Sequence, residues 1–383
     1  MGHRRDGALR SGSAKRLNSL RATAPSSALA WLRSSGDWMI DARRIAILAD
    51  GRLGVITAKT AACIVRYQPE RVACIIDSTR VGLSAQEVLG FGGAIPVVGS
   101  VREAVKCGPD SLLIGIAPRG GLLPEAWRGA ILDAIEGGMN ILSGLHSMLE
   151  EDPEISEAAR RAGVAVWDIR KVVLPDGVAR GLLRGRNGRV ILTVGSDCST
   201  GKMTVAYELA RALRERGVRA EFVATGQTGI LLSGWGQAID RAPGDFMARI
   251  AEDLTLEGLS RGDVAIVEGQ GSLIHPAYSG VTLSLLHGSW PDAMVLCHQP
   301  TRRRIDEYDV EIPPLEDLVG MYERACRPLF SSRVVAVALN TYDLDEAAAR
   351  SEVERVRRET GLPTIDPVRW GSDALCRAVE GVL

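Results

Sequence analysis

The sequence lacks the features that mark membrane, nucleic-acid-binding and disulfide-bonded secreted proteins. No run of about 18 uncharged apolar residues occurs, so we expect no membrane span. Lysine and arginine number 46 against 47 aspartates and glutamates, and no block of the predicted folded part is strongly basic, which argues against a nucleic-acid partner. The seven cysteines form no C-x-x-C pair and are odd in number, which predicts free thiols in a cytoplasmic protein.

Residues 1–42 differ in composition from the rest of the 383-residue chain. They are rich in arginine, serine and glycine, and Asp6 is nearly the only acid before Asp37. Because no apolar stretch suits a secretory signal, we interpret the segment as a basic disordered tail or an over-long start. An organellar transit peptide is the alternative interpretation.

Residues 43–169 alternate short apolar strands with helical patterns, which predicts a Rossmann-like parallel sheet domain. Asp77 ends the second strand, the place of a ribose-binding acid in dinucleotide folds. However, the glycines after the first strand, Gly51 and Gly54, do not form a G-x-G-x-x-G motif. A scaffolding or substrate-covering domain is therefore the default interpretation, and nicotinamide binding is the alternative. A glycine-rich linker, 170–188, follows.

Residues 189–383 are predicted to form a P-loop NTPase-like doubly wound domain. Its predicted strands are 190–195, 219–224, 263–268, 292–298 and 333–339. The first strand runs into a glycine-bounded loop with Lys202 and then into an amphipathic helix. In this order, backbone N–H groups and the positive end of the helix dipole face a phosphate, and the lysine adds a charge.

Two departures from the common P-loop pattern limit the reactions that the loop can support. Five residues, rather than four, separate Gly195 from Gly201. Met203 follows Lys202 where a hydroxyl usually binds Mg²⁺, and a thioether is a poor ligand for a hard cation. Thr204 offers a hydroxyl one residue later, about 100° further round the helix. The loop is therefore suited to gripping phosphate and poorly suited to magnesium-assisted nucleotide hydrolysis.

Polar and glycine-rich sequences follow the other predicted strands of this domain. They are 225–229, 268–272, the segment from His298 through the basic run 302–304, and 340–341. Because ligands of open α/β sheets bind beyond the carboxyl ends of the strands, we expect these segments to converge on the P-loop. Glu268 takes the place of a Walker-B acid, and Arg302 to Arg304 are candidates for holding further phosphate.

Three of the five histidines, His275, His287 and His298, lie within about two dozen residues. A zinc site is one interpretation, but no H-x-x-x-H pattern supports it, and we expect no metal. We favour one histidine as a general base and the others as structural residues. Cys198 precedes the helix, which predicts a lowered thiol pKa, and it is either a nucleophile or a small loop residue.

Several longer motifs resemble one known family, the DgcN-type D-glutamate N-acetyltransferases. In the second domain these are Gly195 to Thr204, 267–273, His275-Pro276 and 279–289. In the first domain they are 58–61, 76–78, 115–121, 143–146 and 168–171. The resemblance covers roughly residues 43 to 383 and includes the methionine after the P-loop lysine. More distantly, the loop is similar to that of dethiobiotin synthetase-like ATP enzymes.

The resemblance implies transfer of an acetyl group from acetyl-CoA to the amine of D-glutamate or a related D-amino acid. From their positions at and after the third strand of the second domain, we expect His275, then Glu268 and His287, to serve catalysis. Candidates for binding the small-molecule substrate are Arg119, Lys171, Gln270 and Ser272. The acetyl-CoA residues would be Gly195, Asp197, Cys198, Ser199, Thr200, Gly201, Lys202, Met203, Thr204 and Gln227. We also expect a homo-oligomer. An ATP-dependent kinase or ligase, or a CoA- or nucleotide-binding module without catalysis, is the alternative.

Overall fold

The chain forms two parallel sheets, each covered by helices, in a computed structural model that describes residues 44–117, 121–327 and 329–383. The predicted basic tail and Arg119 lie outside these residues. Within the described part of the chain, no helix is long and apolar enough to cross a membrane. The predicted α/β class with a Rossmann-like domain and a P-loop domain is confirmed.

The first sheet has the strand order β3-β2-β1-β4-β5-β6, with every pair parallel. Its strands are β1 Ile45–Leu48, β2 Val72–Ile76, β3 Val97–Val98, β4 Ser111–Ile114, β5 Asn140–Ser143 and β6 Val166–Asp168. Its helices are α1 Lys59–Tyr67, α2 Ala85–Leu89, α3 Val101–Val105, α4 Arg128–Glu136 and α5 Pro153–Ala162. This is the strand order of Rossmann folds, in which ligands bind beyond the carboxyl ends of the strands.

Local sequence explains where these elements begin and end. All four residues of β1 are buried, as a strand covered on both faces requires. Helix α5 begins after Asp152, whose carboxylate caps the N–H groups of Glu154 and Ile155, and it ends at Gly163 in the left-handed conformation. Helix α1 begins at Lys59, because residues 55–58 form turns.

The second sheet has the order β8-β9-β7-β10-β11-β12, again parallel throughout. Its strands are β7 Arg189–Gly195, β8 Ala220–Val223, β9 Val264–Val267, β10 Ala293–His298, β11 Arg333–Leu339 and β12 Thr364–Ile365. Its helices are α6 Lys202–Glu215, α7 Gln227–Ser233, α8 Gly244–Arg261, α9 Ser279–Ser289, α10 Leu315–Cys326, α11 Glu346–Thr360, α12 Pro367–Trp370 and α13 Asp373–Glu380. The P-loop strand β7 is central, with β9 beside it. No helix or strand lies between Asp168 and Arg189, although the boundaries of the predicted domains remain predictions.

The two halves pack on each other through α1, α6 and α7. The Tyr67 hydroxyl donates to Glu208 Oε1 at 2.9 Å, and the rings of Tyr67 and Tyr207 are 4.8 Å apart. Near the carboxyl edge, the hydroxyls of Thr60 and Thr228 share a hydrogen bond of 3.2 Å. One hydrophobic cluster contains residues of both sheets. The carboxyl ends of the two sheets therefore face a common region.

Candidate active site

The P-loop turns sharply between the end of β7 and the start of α6. Ser199 and Gly201 adopt left-handed backbone conformations, with φ of 57° and 101°. A Cβ on Gly195 would lie 2.7 Å from Lys202 Nζ, so the glycine makes room for the lysine. A left-handed residue other than glycine, such as Ser199, is strained and is typical of functional loops.

The loop presents a row of unused hydrogen-bond donors. The backbone N–H groups of residues 199–204 donate to no described residue, whereas the N–H of Ser196 bonds the Cys297 carbonyl at 3.0 Å. Lys202 Nζ is buried and folds back onto the Asp197 carbonyl at 2.6 Å. Burial lowers the pKa of Lys202. Open N–H groups at a helix N-terminus with a buried lysine form an anion site.

Asp197 connects this loop to the basic run after β10. Its Oδ2 atom accepts from Arg302 Nη1 at 2.8 Å and from the Asp306 N–H at 2.9 Å. Arg302 also donates to the Cys198 carbonyl at 2.8 Å, whereas Arg304 pairs with the acids of its own segment at the surface. Of the three arginines predicted to hold further phosphate, Arg302 is therefore the one that contacts the loop.

The strand next to the P-loop approaches it closely. A Cβ on Gly269 would lie 1.7 Å from the Thr193 carbonyl oxygen, and the Gly269 N–H donates to Thr193 Oγ1 at 2.9 Å. On the other side, the buried Tyr322 hydroxyl donates to the Gly195 carbonyl at 2.7 Å and accepts the Leu273 N–H at 3.2 Å. These contacts hold the loop and the turn after β9 as one unit.

Glu268 lies at the end of β9, buried between the two halves. Its Oε2 atom accepts the N–H groups of Thr225 and Gly226 at 3.0 and 3.1 Å. Burial raises the pKa of Glu268 to about 8, although these two N–H groups favour its ionised form. A Cβ on Gly229 would lie 2.4 Å from Oε2, so this glycine leaves space for the carboxyl group. A carboxyl group with this pKa can exchange a proton near neutral pH.

His275 lies against the P-loop with one defined tautomer. Its Nδ1 atom accepts the Ala277 N–H at 3.1 Å, so the proton of the neutral imidazole is on Nε2. That Nε2 atom lies 3.9 Å from Asp197 Oδ1, and burial lowers the pKa of His275. In this arrangement His275 is a hydrogen-bond donor that faces the loop, since its acceptor nitrogen is already used.

The other two histidines of the sequence cluster are held elsewhere. His287 lies on α9, where its Nε2 atom bonds the Ala325 carbonyl of α10 at 3.0 Å, a contact between two helices. His298 Nδ1 bonds Ser196 Oγ at 2.8 Å, and burial lowers the pKa of His298 to about 4. His298 thus supports the loop as a neutral group. The structure brings His275, and not His287, to the P-loop.

The prediction of a lowered pKa for Cys198 is wrong. Cys198 is four residues before the first residue of α6, and burial raises the thiol pKa in spite of the nearby Lys202 ammonium. Burial disfavours a thiolate because the charge loses hydration. The thiol, the Asp197 carboxylate and the His275 imidazole have ligand atoms within 4.8 Å of one another. A cation there would meet Arg302 and Lys202, whose positive charges oppose it.

The remaining predicted site residues lie at different distances from the P-loop and Glu268. Gln227 and Gln270 lie at the region between the sheets, where Gln270 Nε2 approaches Glu268 Oε1 at 3.4 Å and Gln227 contacts Arg170. Ser272 is buried in the turn after β9, and Met203 is partly buried and packs against the hydrophobic cluster. Lys171 is exposed and pairs with Glu150. Thr200 Oγ1 donates to the Asp197 carbonyl at 3.2 Å, within the loop itself.

Sequence reasoning missed three residues that complete this region: Tyr322, Arg170 and Asp240. Tyr322 lies 127 positions from Gly195, on a helix whose pattern predicts only a buried face. Arg170 is next to the predicted Lys171, but Arg170 is the one that is buried, donating to Gln227 Oε1 at 2.6 Å and pairing with Asp240. The family-like motif 168–171, which contains Arg170, is the feature of the sequence that could have indicated this residue.

Comparisons with known proteins identify the family on both halves of the chain. A model of a domain of unknown function, the DUF1611 P-loop domain, matches residues 177–376, and the matching N-terminal Rossmann-like domain covers 78–172. A DUF1611 family protein from Anabaena variabilis, solved by crystallography, has a TM-score of 0.83 at 38% identity. It is covered for 99% of its length and covers 88% of this chain.

Two relatives have names that state an activity. The D-glutamate N-acetyltransferase of Tritonibacter scottomollicae is 38% identical over 290 residues, which are 74% of this chain and 85% of the relative. The D-glutamate N-acetyltransferase of a Pseudoalteromonas species is 37% identical over 278 residues, 72% of this chain and 83% of the relative. Each match covers more than two thirds of this chain and of the relative. The chain therefore belongs to the DUF1611 family and is an acyltransferase.

Proposed function

We propose that this protein transfers the acetyl group of acetyl-CoA to the amine of D-glutamate, with the CoA phosphates bound in the P-loop. The observation that carries the proposal is the open row of N–H groups from Ser199 to Thr204 with the buried Lys202. The N-acetyltransferase relatives supply the reaction class, and CoA supplies the phosphates that such a loop grips. No nucleotide hydrolysis is required, which is consistent with Met203, a residue without a magnesium-binding hydroxyl, after Lys202.

Transfer requires that the amine first lose a proton, because an amino-acid amine is largely an ammonium ion at neutral pH. The sequence ranks His275 first as this base, but the Ala277 N–H occupies its acceptor nitrogen. We therefore assign the base to Glu268, whose pKa is raised to about 8 by burial. His275 is assigned a donor role through Nε2–H, toward the thioester oxygen as negative charge develops on it.

The amine nitrogen then attacks the thioester carbonyl carbon directly. A carbon–nitrogen bond forms, the carbon–sulfur bond breaks, and CoA leaves as a thiolate that takes up a proton. Of the two protons that the nitrogen loses, the first passes to the Glu268 carboxylate before attack, and the second passes to the leaving thiolate after attack. No acetyl-cysteine intermediate is needed, because a thioester is already activated, and the raised pKa of Cys198 makes its thiol a poor nucleophile.

A screen of D- and L-amino acids with acetyl-CoA, read by release of free thiol, tests this proposal. We expect release with D-glutamate and a product that carries one added acetyl group by mass spectrometry. Absence of release with every amino acid, together with retained CoA binding, would instead indicate a binding module. Cytoplasmic location and a homo-oligomer stay predictions.

An ATP-dependent kinase or ligase is the second candidate, because Glu268 directly follows the strand beside the P-loop strand, where a Walker-B acid is found. The two N–H groups that bond Glu268 and the thioether at position 203 disfavour a magnesium site there. Incubation with Mg-ATP and the same amino acids, read by ADP formation, separates the two functions. Steady ADP formation that depends on the amino acid would favour the kinase or ligase.

A further inference from the structure

Arg170 and Asp240 form an ion pair between the two halves of the chain. Arg170 follows β6 and is 3% exposed, and Asp240 lies in a short turn, Ile239–Arg241, after α7. Arg170 Nη1 also donates to Gln227 Oε1 at 2.6 Å. Arg170 Nε and Asp240 Oδ1 are buried, and neither has a hydrogen-bond partner among the described residues. Such unpaired atoms are uncommon in a folded protein.

Hydrogen bonds connect the pair to the proposed base, because Gln227, which accepts from Arg170, directly follows Gly226, whose N–H donates to Glu268 Oε2 at 3.1 Å. Burial raises the pKa of Glu268, and the negative charge of Asp240 adds to that rise. Gln227 connects the pair to the start of α7, and a Cβ on Gly144, after β5, would lie 2.9 Å from the Gln227 side chain. Gly144 follows β5, Arg170 follows β6 and Gln227 follows β8. The pair therefore lies where the carboxyl ends of these three strands meet.

We propose that Arg170 and Asp240 bind the amino-acid head group of the acceptor, an inference that rests on the proposed function. The guanidinium would bind the α-carboxylate, and the Asp240 carboxylate would bind the amine before it is deprotonated. The unpaired Arg170 Nε and Asp240 Oδ1 supply an additional donor and acceptor for these contacts. Arginine is suited to this role because its planar fork matches a carboxylate.

Charge balance supports the binding of the head group between Arg170 and Asp240. A zwitterionic head group carries one positive and one negative charge, so it adds no net charge to the buried region. Each protein group would exchange its present ionic partner for the opposite charge of the acceptor. Asp240 would hold the amine close to Glu268, which then takes its proton. The neighbouring Lys171 is exposed and already paired with Glu150.

A second ion pair provides a matched control. Arg186 pairs with Asp292, and the two side chains are 12% and 25% exposed, against 4% and 26% for Arg170 and Asp240. Arg186 Nε is also buried without a partner among the described residues. Asp292, however, precedes β10 and accepts the Val190 N–H, at the opposite, amino end of the second sheet. Loss of this pair tests stability without touching the carboxyl edges.

The experiment measures KM for acetyl-CoA and for three acceptors in wild type, Arg170→Gln and Arg186→Gln. The acceptors are D-glutamate, its α-amide and its γ-amide. In wild type we expect the α-amide to have a KM about 10–150-fold above that of D-glutamate, the range of a lost charge-assisted contact. In Arg170→Gln this ratio should fall to about threefold or less, while the ratio for the γ-amide and the KM for acetyl-CoA are retained. Arg186→Gln should preserve all wild-type ratios.

An unchanged α-amide ratio in Arg170→Gln would overturn the inference, as would equal changes for both amides. If Arg170→Gln does not fold, Arg170→Lys keeps the charge and loses the fork, and a reduced α-amide ratio is again the expected result. Failure of the proposed function has a different signature: wild type would then acetylate no amino acid. In that case, the melting temperature is measured with and without D-glutamate. If D-glutamate stabilises wild type but not Arg170→Lys, the inference that Arg170 binds the head group stands. If D-glutamate does not stabilise wild type, the inference is overturned.

Discussion

The loops that follow the central strands β1 and β7 occupy the same position in their sheets and differ in how their N–H groups are used. After β1, the buried Asp77 accepts the N–H groups of Gly51 and Leu53, both at 3.1 Å, so a carboxylate of the chain itself fills the loop. After β7, the N–H groups of 199–204 have no described acceptor. The first loop is closed by its own anion, and the second is open for one supplied from outside.

This difference bears on whether the Rossmann-like strand order of the first half predicts a nucleotide site. Both carboxylate oxygens of Asp77 are occupied, since Oδ1 also accepts the N–H and the hydroxyl of Thr79 at 2.9 and 2.6 Å. Although burial opposes ionisation, these hydrogen bonds lower the pKa of Asp77. The carboxylate therefore has a structural role, which favours the scaffolding interpretation over ribose binding. The fold alone does not imply the function.

We expect the largest fall in turnover from substitution of Glu268, the acid after the strand next to the P-loop strand. Glu268→Gln should lower turnover by about 10²–10⁴-fold, the contribution of a general base. Because the ionised form is the base and burial raises its pKa to about 8, wild-type kcat/KM should rise with pH up to that value. The variant should lose this rise. Glu208→Gln, at a buried acid that bonds Tyr67, is the control and should keep the pH profile.

The same pKa gives a stability prediction with a defined sign. The pKa of Glu268 is raised from 4.5 to about 8 on folding, so its favourable contribution is complete below the lower value and is lost as pH rises through the higher one. The wild-type melting temperature should therefore fall between these pH values relative to Glu268→Gln. Equal pH dependence of the two proteins would contradict a buried carboxyl group at this position.

His275→Ala should lower turnover by about 10²–10³-fold, the scale of a lost oxyanion donor, with the affinity for acetyl-CoA largely retained. The pH profile distinguishes its role from that of the base. If His275 is a donor, the variant keeps the rise in kcat/KM that reports Glu268. If that rise disappears in His275→Ala and persists in Glu268→Gln, the assignments must be exchanged.

Asp77→Ala tests the closed loop. Removing the carboxylate leaves the buried Leu53 N–H without its acceptor, at a cost of about 1–3 kcal/mol, whereas the N–H of the exposed Gly51 can bond water instead. We expect a lower melting temperature, measured by calorimetry, with both KM values within about threefold of wild type. A selective loss of acetyl-CoA affinity would mean that the first loop also binds the donor, and the distinction between the two loops would fail.

The smallest effect is expected at Cys198, whose pKa is raised by burial. Cys198→Ser should keep most of the turnover, because the amine attacks the thioester directly. Intact-mass measurement of wild type with acetyl-CoA alone should show no added acetyl group. An inactive Cys198→Ser together with an acetylated wild-type protein would establish a ping-pong reaction instead.

The sequence predicted the second sheet well because each strand is an apolar run bounded by loop residues. The predicted strand 333–339 coincides with β11, and 292–298 differs from β10 by one residue. The glycine-rich loop and Glu268 were found because their spacing is local. Pairings such as Arg170 with Asp240 were not, since they join residues 70 positions apart whose partners depend on how two domains pack. The wrong pKa direction for Cys198 has the same origin, because burial is a tertiary property.

Binding of acetyl-CoA to wild type, Lys202→Ala and Asp77→Ala, measured by titration calorimetry, tests the central distinction between the open and the closed loop. Lys106→Ala, at an exposed lysine of the first half, controls for the loss of a positive charge. We predict that Lys202→Ala binds about 10–150-fold more weakly than wild type, the scale of a lost charge-assisted contact, while the other two variants bind as wild type does. Unchanged affinity in Lys202→Ala would contradict the account and remove the P-loop from donor binding.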